Sequence, residues 1–198
     1  MAVSQDAVRI AQLEQKISQT ETVVEAQKEN IHDTQKDIEI LKVRMDYIAQ
    51  GGGLMILHGA ITVQNNSQEF SQMTGGSFDY HPKQQEMHVM EVDEKHPLVA
   101  AFSGNGFTHV DEPYFFKNAY SDYNFRPLLY IDVSKLEGLK KEPEDDISYV
   151  AWIKKHGKGR VFYTSPSHNA QTLDNPEFSG PNKIAIFLFF GKRLKSSF

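Results

Sequence analysis

The sequence predicts a mixed α/β domain preceded by a long heptad-patterned helix. Residues 1–50 contain no glycine, no proline and one aromatic residue, Tyr47, whereas all three classes become common from Gly51 onward. In the second part, short apolar runs alternate with turns and a short helical pattern, which favours a mixed α/β sheet over a sandwich. We therefore predict a helix over 1–50, an α/β domain over 51–180 and an apolar tail over 181–198.

A seven-residue repeat runs through the first segment. Every a position is apolar and six of the seven are β-branched, whereas only three of the seven d positions are apolar. Such a repeat predicts a left-handed coiled coil, so we expect a homo-oligomer through residues 3–48. The β-branched a positions favour a parallel dimer, the polar d positions leave a trimer open, and the alternative is a partly formed exposed helix. The a positions are Val3, Ile10, Ile17, Val24, Ile31, Ile38 and Met45, and the polar d positions are Asp6, Thr20, Gln27 and Thr34.

Composition excludes several classes of function. The net charge of -5 gives no basic face for phosphate contacts, so we expect no nucleic-acid partner. The chain has no cysteine, which excludes disulfides, thiolate metal sites and a cysteine nucleophile. The amino terminus lacks a secretory pattern, and the longest apolar run, Ile184 to Phe190, is too short to span a membrane. We therefore expect a cytoplasmic protein without a membrane partner.

Local patterns place the elements of the second part. The run Gly51–Gly53 predicts a helix stop and a turn, followed by a buried strand at Leu54–Leu57. Because the run precedes a strand and matches neither a P-loop nor a dinucleotide fingerprint, we expect no nucleotide cofactor. Residues 67–76 indicate a short helix closed by glycine. Strand patterns lie at 86–94 and 126–134 and in the arms of a hairpin over 148–168, whose turn is Gly157–Gly159.

Six segments, in this order, resemble the ThuA-like (trehalose-utilisation) family. They lie between about Asp37 and Phe178, and each alone is a weak signal, whereas their serial order is specific. The segments are YIAQGGGLMILHGA (47–60), MTGGSFDYHP (73–82), VDEKHPLVAAF (92–102), THVDEPYFF (108–116), VAWIKKHGKGRVFYTSPSH (150–168) and DNPEF (174–178).

The resemblance implies a partial flavodoxin-like sheet, related to class I glutamine amidotransferases but without their cysteine. It also implies a role in catabolism of trehalose-type disaccharides, including 3-keto sugars, with a small carbohydrate as partner. The chain departs from the family pattern at both ends, where the heptad helix and the apolar tail stand. We therefore expect the sheet to lack strands that the family has.

Two histidines are the first candidates for chemistry. His58 ends the strand after the glycine turn, where a doubly wound sheet collects ligands. By resemblance, it stands where the amidotransferases place their nucleophile, at a strand-to-helix elbow. His168 follows the strand Arg160–Ser165, where those enzymes place their catalytic histidine. Both could act as general bases or bind a divalent metal, and the structural alternative for each is a capping or turn histidine.

The other candidates lie in two loops. His81 follows Phe78 in a motif of glycine, phenylalanine and histidine that matches the family, and Asp111 and Glu112 stand beside Tyr114. Carboxylates near histidines suit acid–base work on sugar hydroxyls or a divalent metal, although such a pair is often a solvated turn. We take the three charged or titratable side chains as catalytic candidates and Phe78 and Tyr114 as substrate-binding candidates.

The remaining histidines give no such signal. His96 precedes Pro97 and is expected to be structural, at the start of a helix over 99–102. His32, His88, His109 and His156 have no convergent neighbours in the sequence.

Two functions are compatible with these residues. The first is a sugar-modifying lyase, hydrolase or isomerase, with His58, His81 and His168 in one pocket. The second is a non-catalytic coiled-coil interaction protein that carries a remnant of the ThuA-like domain. A cysteine-dependent amidotransferase is excluded because the chain has no cysteine.

Overall fold

The structure, a computed structural model, describes residues 4–117, 124–142, 145–174 and 176. Two compact units divide the chain, Met1–Arg44 and Met45–Phe198. The predicted tail over 181–198 lies outside the described residues. The elements are α1 (Gln5–Ala49), β1 (Gly53–Leu57), α2 (Gln68–Thr74), β2 (Ser77–Tyr80), β3 (Gln85–Glu91), β4 (Phe107–Asp111), β5 (Phe115–Lys117), β6 (Arg126–Asp132), β7 (Ile147–His156), β8 (Gly159–Thr164) and α3 (Ala170–Asp174), with 3₁₀ turns at His58–Thr62, Ala100–Phe102 and Val133–Lys135.

The long helix α1 begins and ends with local signals. The hydroxyl of Ser4 accepts a hydrogen bond from the N–H of Ala7 at 3.2 Å and caps the first turn. At the other end, the N–H of Gly52 bonds the carbonyl of Tyr47 at 3.0 Å and that of Gly51 bonds Ile48 at 2.9 Å. This pair of bonds is a Schellman motif, and the positive φ of Gly51, 123°, supplies the conformation it requires. The predicted glycine stop is confirmed.

The main sheet has the strand order β1-β8-β7-β6-β3-β4 among the described residues, and β2 and β5 form a separate antiparallel pair. In the main sheet only β1 and β8 are parallel. The other four pairs are antiparallel. As a result β1, β8, β6 and β4 all run in one direction, so their carboxyl ends lie at one edge of the sheet.

This topology departs from the predicted flavodoxin-like sheet, whose strands are parallel. The parallel character of the described part is limited to β1 and β8. For β7 and β8 the reason is their connection, since a turn of Gly157 and Lys158 is long enough only for an antiparallel hairpin. The coarser prediction, a mixed α/β domain behind a long helix, agrees with the structure.

Apolar side chains from β3, β6, β7 and β8 form the core on one face of the sheet, together with the segment Leu98–Phe102. On the other face, the indole of the single tryptophan, Trp152, donates to the carbonyl of Thr74 in α2 at 2.7 Å. Its ring also packs against Phe116, Phe125 and Tyr163. The two faces are therefore both covered, which holds the strand ends rigidly in place.

The local predictions differ in outcome. The hairpin, the helix closed by Gly75 and the strands at 53–57, 85–91 and 126–132 are confirmed. The helix expected over 99–102 is a single 3₁₀ turn, and His96 beside it is buried, 2% exposed. No helix in the described part of the chain is long and apolar enough to cross a membrane.

Candidate functional site

Three strand ends meet at one place on the edge of the sheet. His58 follows β1, the pair Asp111 and Glu112 ends and follows β4, and His168 lies shortly after β8. Strands β1 and β4 stand at opposite ends of the strand order, yet the side chains that follow them are in contact at 3.2 Å. The sheet is therefore curled, and this cluster of side chains lies where its two outer strands approach each other.

His58 occupies a strained elbow between β1 and the 3₁₀ turn. Its φ is +43°, a left-handed conformation that non-glycine residues rarely adopt. The hydroxyl of Tyr163 donates to the His58 carbonyl at 3.3 Å, and the Nδ1 atom of His58 lies 2.7 Å from the carbonyl oxygen of Ser165. A carbonyl oxygen only accepts hydrogen bonds, so Nδ1 carries the proton. The other ring nitrogen, Nε2, is therefore turned towards the cluster.

Three atoms that can each accept a proton form a triangle. The Nε2 of His58 lies 3.1 Å from the Nδ1 of His168 and 3.2 Å from the Oε2 of Glu112. The third side of the triangle, from the Nδ1 of His168 to the Oε2 of Glu112, is 3.4 Å. An unprotonated Nε2 and an ionised carboxylate oxygen repel each other at this distance. The triangle is therefore stable only with a shared proton or a cation. The side chain of His58 is 10% exposed and that of His168 is 41% exposed, so the triangle reaches from the interior to solvent.

Asp111 anchors the cluster from beneath. Its carboxylate is fully buried and accepts hydrogen bonds from the Glu112 N–H at 2.8 Å, the His109 ring at 3.1 Å, the His168 N–H at 3.3 Å and the Thr172 hydroxyl at 3.3 Å. Burial alone would raise the pKa of Asp111, but the hydrogen bonds from His109 and the two N–H groups outweigh it and hold the pKa below its ordinary value. An ionised carboxylate with four donors is suited to positioning, because it connects β4, the His168 loop and α3.

An aromatic wall borders the triangle. The ring of Tyr114 lies 4.2 Å from that of His58, 4.6 Å from that of Phe78 and 5.4 Å from that of His81. The Nε2 of His81 is 3.8 Å from the Glu112 carboxylate, outside hydrogen-bond distance. Burial, followed by the negative charges of Glu112 and Asp111, raises the pKa of Tyr114 to about 12, so its hydroxyl stays protonated and can donate to a ligand.

All seven residues selected from the sequence are therefore located in one cluster, and their roles stay predictions. Two further residues were missed. His109 was expected to have no convergent neighbours, which is wrong, because it bonds Asp111. Residues i and i+2 of a strand share a face, so recognition of β4 as a strand would have paired them. The other, Thr172, gives no signal in the sequence.

The fold and the cluster define a mixed α/β domain with histidines and carboxylates at its strand ends. The sequence profile of the family ThuA, described as trehalose utilisation, matches residues 1–185. The chain belongs to this family. Among the curated proteins, none matches the chain.

Two solved structures have a similar fold. A ThuA-like protein from Parabacteroides merdae ATCC 43184 superimposes with a TM-score of 0.58 and 18% identity, over 75% of this chain and 64% of that one. A ThuA-like protein from Bacteroides uniformis ATCC 8492 gives a TM-score of 0.55 and 20% identity, over 73% of this chain and 59% of that one. The chain thus spans about three-fifths of the length of these relatives.

Proposed function

We propose that the chain acts on a small carbohydrate of the 3-keto-disaccharide type, with proton transfer carried out by His58, Glu112 and His168. The observation that carries this proposal is the triangle, in which the Nε2 of His58 faces the Glu112 carboxylate at 3.2 Å and His168 at 3.1 Å. Three interacting groups that can exchange one proton are suited to general acid–base catalysis.

The two histidines differ in how firmly they are held and in how exposed they are. Ser165 and Tyr163 hold His58 in one orientation and one tautomer, as a general base requires. His168 is the most exposed of the three and can exchange protons with solvent or with a leaving oxygen. In a 3-keto sugar, the hydrogen on the carbon next to the carbonyl is acidic, and its removal is a reaction that such a pair can catalyse.

The aromatic wall supports a sugar as the ligand. The rings of Phe78, His81 and Tyr114 pack against one another beside the triangle, and aromatic rings with a few polar groups are typical of small-molecule sites. The hydroxyl of Tyr114 is a donor for a sugar oxygen. The family description, trehalose utilisation, is consistent with this ligand class.

The test is turnover of a 3-keto-disaccharide, followed by mass spectrometry of the products. We expect His58→Ala and His168→Ala each to reduce the rate at least about 100-fold, because general acid–base groups contribute about 10²–10⁴-fold. His156→Ala is the matched control, since His156 ends β7 at the opposite edge of the sheet. Unchanged rates in both site variants, or no turnover and no binding by the unaltered chain, would refute the proposal.

A second candidate is a divalent cation at the same triangle. With metal–ligand distances of about 2.0–2.2 Å, adjacent ligand atoms stand about 2.8–3.6 Å apart, and the three sides of the triangle, 3.1, 3.2 and 3.4 Å, fall in this range. Asp111 also has an oxygen within 4.8 Å of the two histidine nitrogens. Bound there, a cation would polarise the sugar carbonyl. Calorimetric titration with Mn²⁺ and Zn²⁺ distinguishes the candidates. If the triangle binds a cation, the native chain should bind one of these ions and Glu112→Gln should bind it more weakly. Turnover that persists in the presence of a chelator would favour proton transfer alone.

A further inference from the structure

The apolar stripe of α1 is uncovered. Every described residue from Ser4 to Ile40 is exposed. The described a-position residues of the heptad before Met45 are between 41% and 58% exposed, and Leu13 at a d position is 52% exposed. A helix in a folded protein gains most of its stability from packing of its apolar face, so a helix of 45 residues with this uncovered stripe requires a partner.

We propose that α1 pairs, parallel and in register, with α1 of a second copy of this chain. This inference goes beyond the proposed function and does not depend on it. The positions that flank the seam of a parallel coiled coil are g of one heptad and e of the next heptad on the other helix. In this chain the charged pairs at these positions are Arg9 with Glu14, Lys16 with Glu21 and Asp37 with Lys42, each between one copy and the other.

All three pairs join opposite charges, and each occurs twice in a symmetric dimer. The remaining g–e combinations, among them Val23 with Lys28, Asn30 with Gln35 and Arg44 with Ala49, contain no like charges. An antiparallel arrangement with the same overlap also joins opposite charges, Lys16 with Asp37 and Glu21 with Lys28. However, it brings Arg9 against Arg44 of the second copy, which is repulsive, whereas the parallel arrangement has three attractive pairs and no repulsive one. The charge pattern is therefore complementary to itself in the parallel orientation, and this favours a second copy over a partner of different sequence.

The polar d positions are compatible with this packing. The hydroxyl of Thr20 donates to the carbonyl of Lys16 at 2.8 Å, and that of Thr34 donates to the carbonyl of Asn30 at 2.8 Å. Both hydroxyls are thus satisfied within their own helix, so the pairing buries only the methyl groups without an unpaired donor.

Gln27 at the central d position sets the register. When the helices are parallel and unshifted, Gln27 lies beside Gln27 of the second copy, and the two amides can bond each other. A shift by one heptad would place the amide against Thr20 or Thr34, whose hydroxyls can accept from its N–H but already donate within their own helix, so the amide oxygen would lose its donor. A buried polar residue whose side chain is satisfied only by the same residue of the second copy specifies a single register.

Because the native chain has no cysteine, single cysteines introduced into α1 can report the relative orientation of the two helices in the full chain. We expect a dimer mass in sedimentation equilibrium, and we expect Ile10→Cys and Ile38→Cys each to form disulfide-linked homodimers in mild oxidant. A mixture of the two variants should give no link between positions 10 and 38, which are about 42 Å apart along a helix. A monomer at about 100 µM, a mass other than the dimer, or a link between positions 10 and 38 would overturn the proposal.

A charge reversal tests the flanking pairs. Lys16→Glu places two glutamates opposite each other on both sides of the dimer, so we expect the dimer dissociation constant to rise roughly tenfold. The double variant with Lys16→Glu and Glu21→Lys should restore it. Lys36→Glu is the matched control, because Lys36 lies at an f position on the outer face. Equal effects of the changes at 16 and 36, or no rescue by Glu21→Lys, would contradict the parallel pairing.

Discussion

The buried carboxylate of Asp111 offers the sharpest test of how the cluster is held together. Asparagine has the same shape, but it has only one acceptor oxygen and its amide group donates. If that oxygen faces His109, His168 and Thr172, the amide group faces the Glu112 N–H, which donates to Asp111 at 2.8 Å in the native chain. Asp111→Asn therefore leaves one buried N–H without an acceptor and replaces three charge-assisted bonds by neutral ones.

The expected loss follows from these contacts. A bond to a charged acceptor exceeds a neutral one by about 1 kcal/mol, and a buried donor without an acceptor costs about 1–3 kcal/mol. Because such terms are not additive within one network, we expect the free energy of unfolding to fall by about 3–4 kcal/mol. Urea unfolding followed by the fluorescence of Trp152 measures this, since it is the single tryptophan and is fully buried in the same unit.

The matched control is Asp132→Asn, because Asp132 is accessible and bonds Ser134 and Lys135 locally. We expect it to change the free energy of unfolding by less than about 1 kcal/mol. An Asp111→Asn chain as stable as the control would refute the anchoring role.

The dependence on pH gives a second readout of the same carboxylate. The pKa of Asp111 is lowered in the folded chain, so its ionised form stabilises the fold above the ordinary value of 3.8, and this contribution is lost as pH falls through the lower native pKa. The difference in stability between the native chain and Asp111→Asn should therefore narrow below pH 3.8. A difference that widens with acidity would show that the sign is wrong.

Two further predictions concern the phenol and the hairpin turn. Since the pKa of Tyr114 is raised to about 12, Tyr114→Phe should leave the phenolate absorbance unchanged at about pH 10–11 and reduce it above about pH 12, whereas a loss of absorbance at the lower pH would place the phenol in water. The stability that the neutral phenol contributes is present below its ordinary pKa of 10.0 and is lost as pH rises through the native value. A Cβ on Gly159 would lie 1.8 Å from the carbonyl oxygen of Ile48, so Gly159→Ala should lower the free energy of unfolding by about 3 kcal/mol in the same urea assay. Lys158→Ala in the same turn is exposed and should change it by no more than about 0.5 kcal/mol, and equal effects at the two positions would contradict the close approach.

Elements with a strong local signal were predictable. The glycine stop after α1, the helix closed by Gly75 and the hairpin of β7 and β8 each depend on neighbouring residues, since turns and caps are set by φ preference and short-range hydrogen bonds. By contrast, β2, β4 and β5 have only three to five residues each. β1 is also short but is a continuous apolar run, whereas these segments mix apolar and polar residues over too few positions to be distinguished from loops.

The candidate site was predictable in its residues but not in its connections. His58 and His168 were selected because side chains at the carboxyl ends of strands point to ligands, and that rule depends only on strand direction. Asp111 was grouped with Glu112 as an acid–base pair, whereas the structure places it beneath the cluster with four donors. No pattern in the sequence identifies the Ser165 carbonyl, which sets the tautomer of His58, because backbone acceptors are the same in every residue.

The sequence by itself determined the family, the long heptad helix and the chemical types available for a site, because these follow from residue identity and spacing. Only the tertiary structure decided that the described sheet is largely antiparallel and curled, since strand order depends on contacts between residues far apart in the chain. That curl brings the ends of β1 and β4 together and places the Nε2 of His58 against Glu112, 54 residues away in the sequence. The need for a shared proton or a cation between these two groups therefore arises only in the folded chain, because His58 and Glu112 are not neighbours until the ends of β1 and β4 come together.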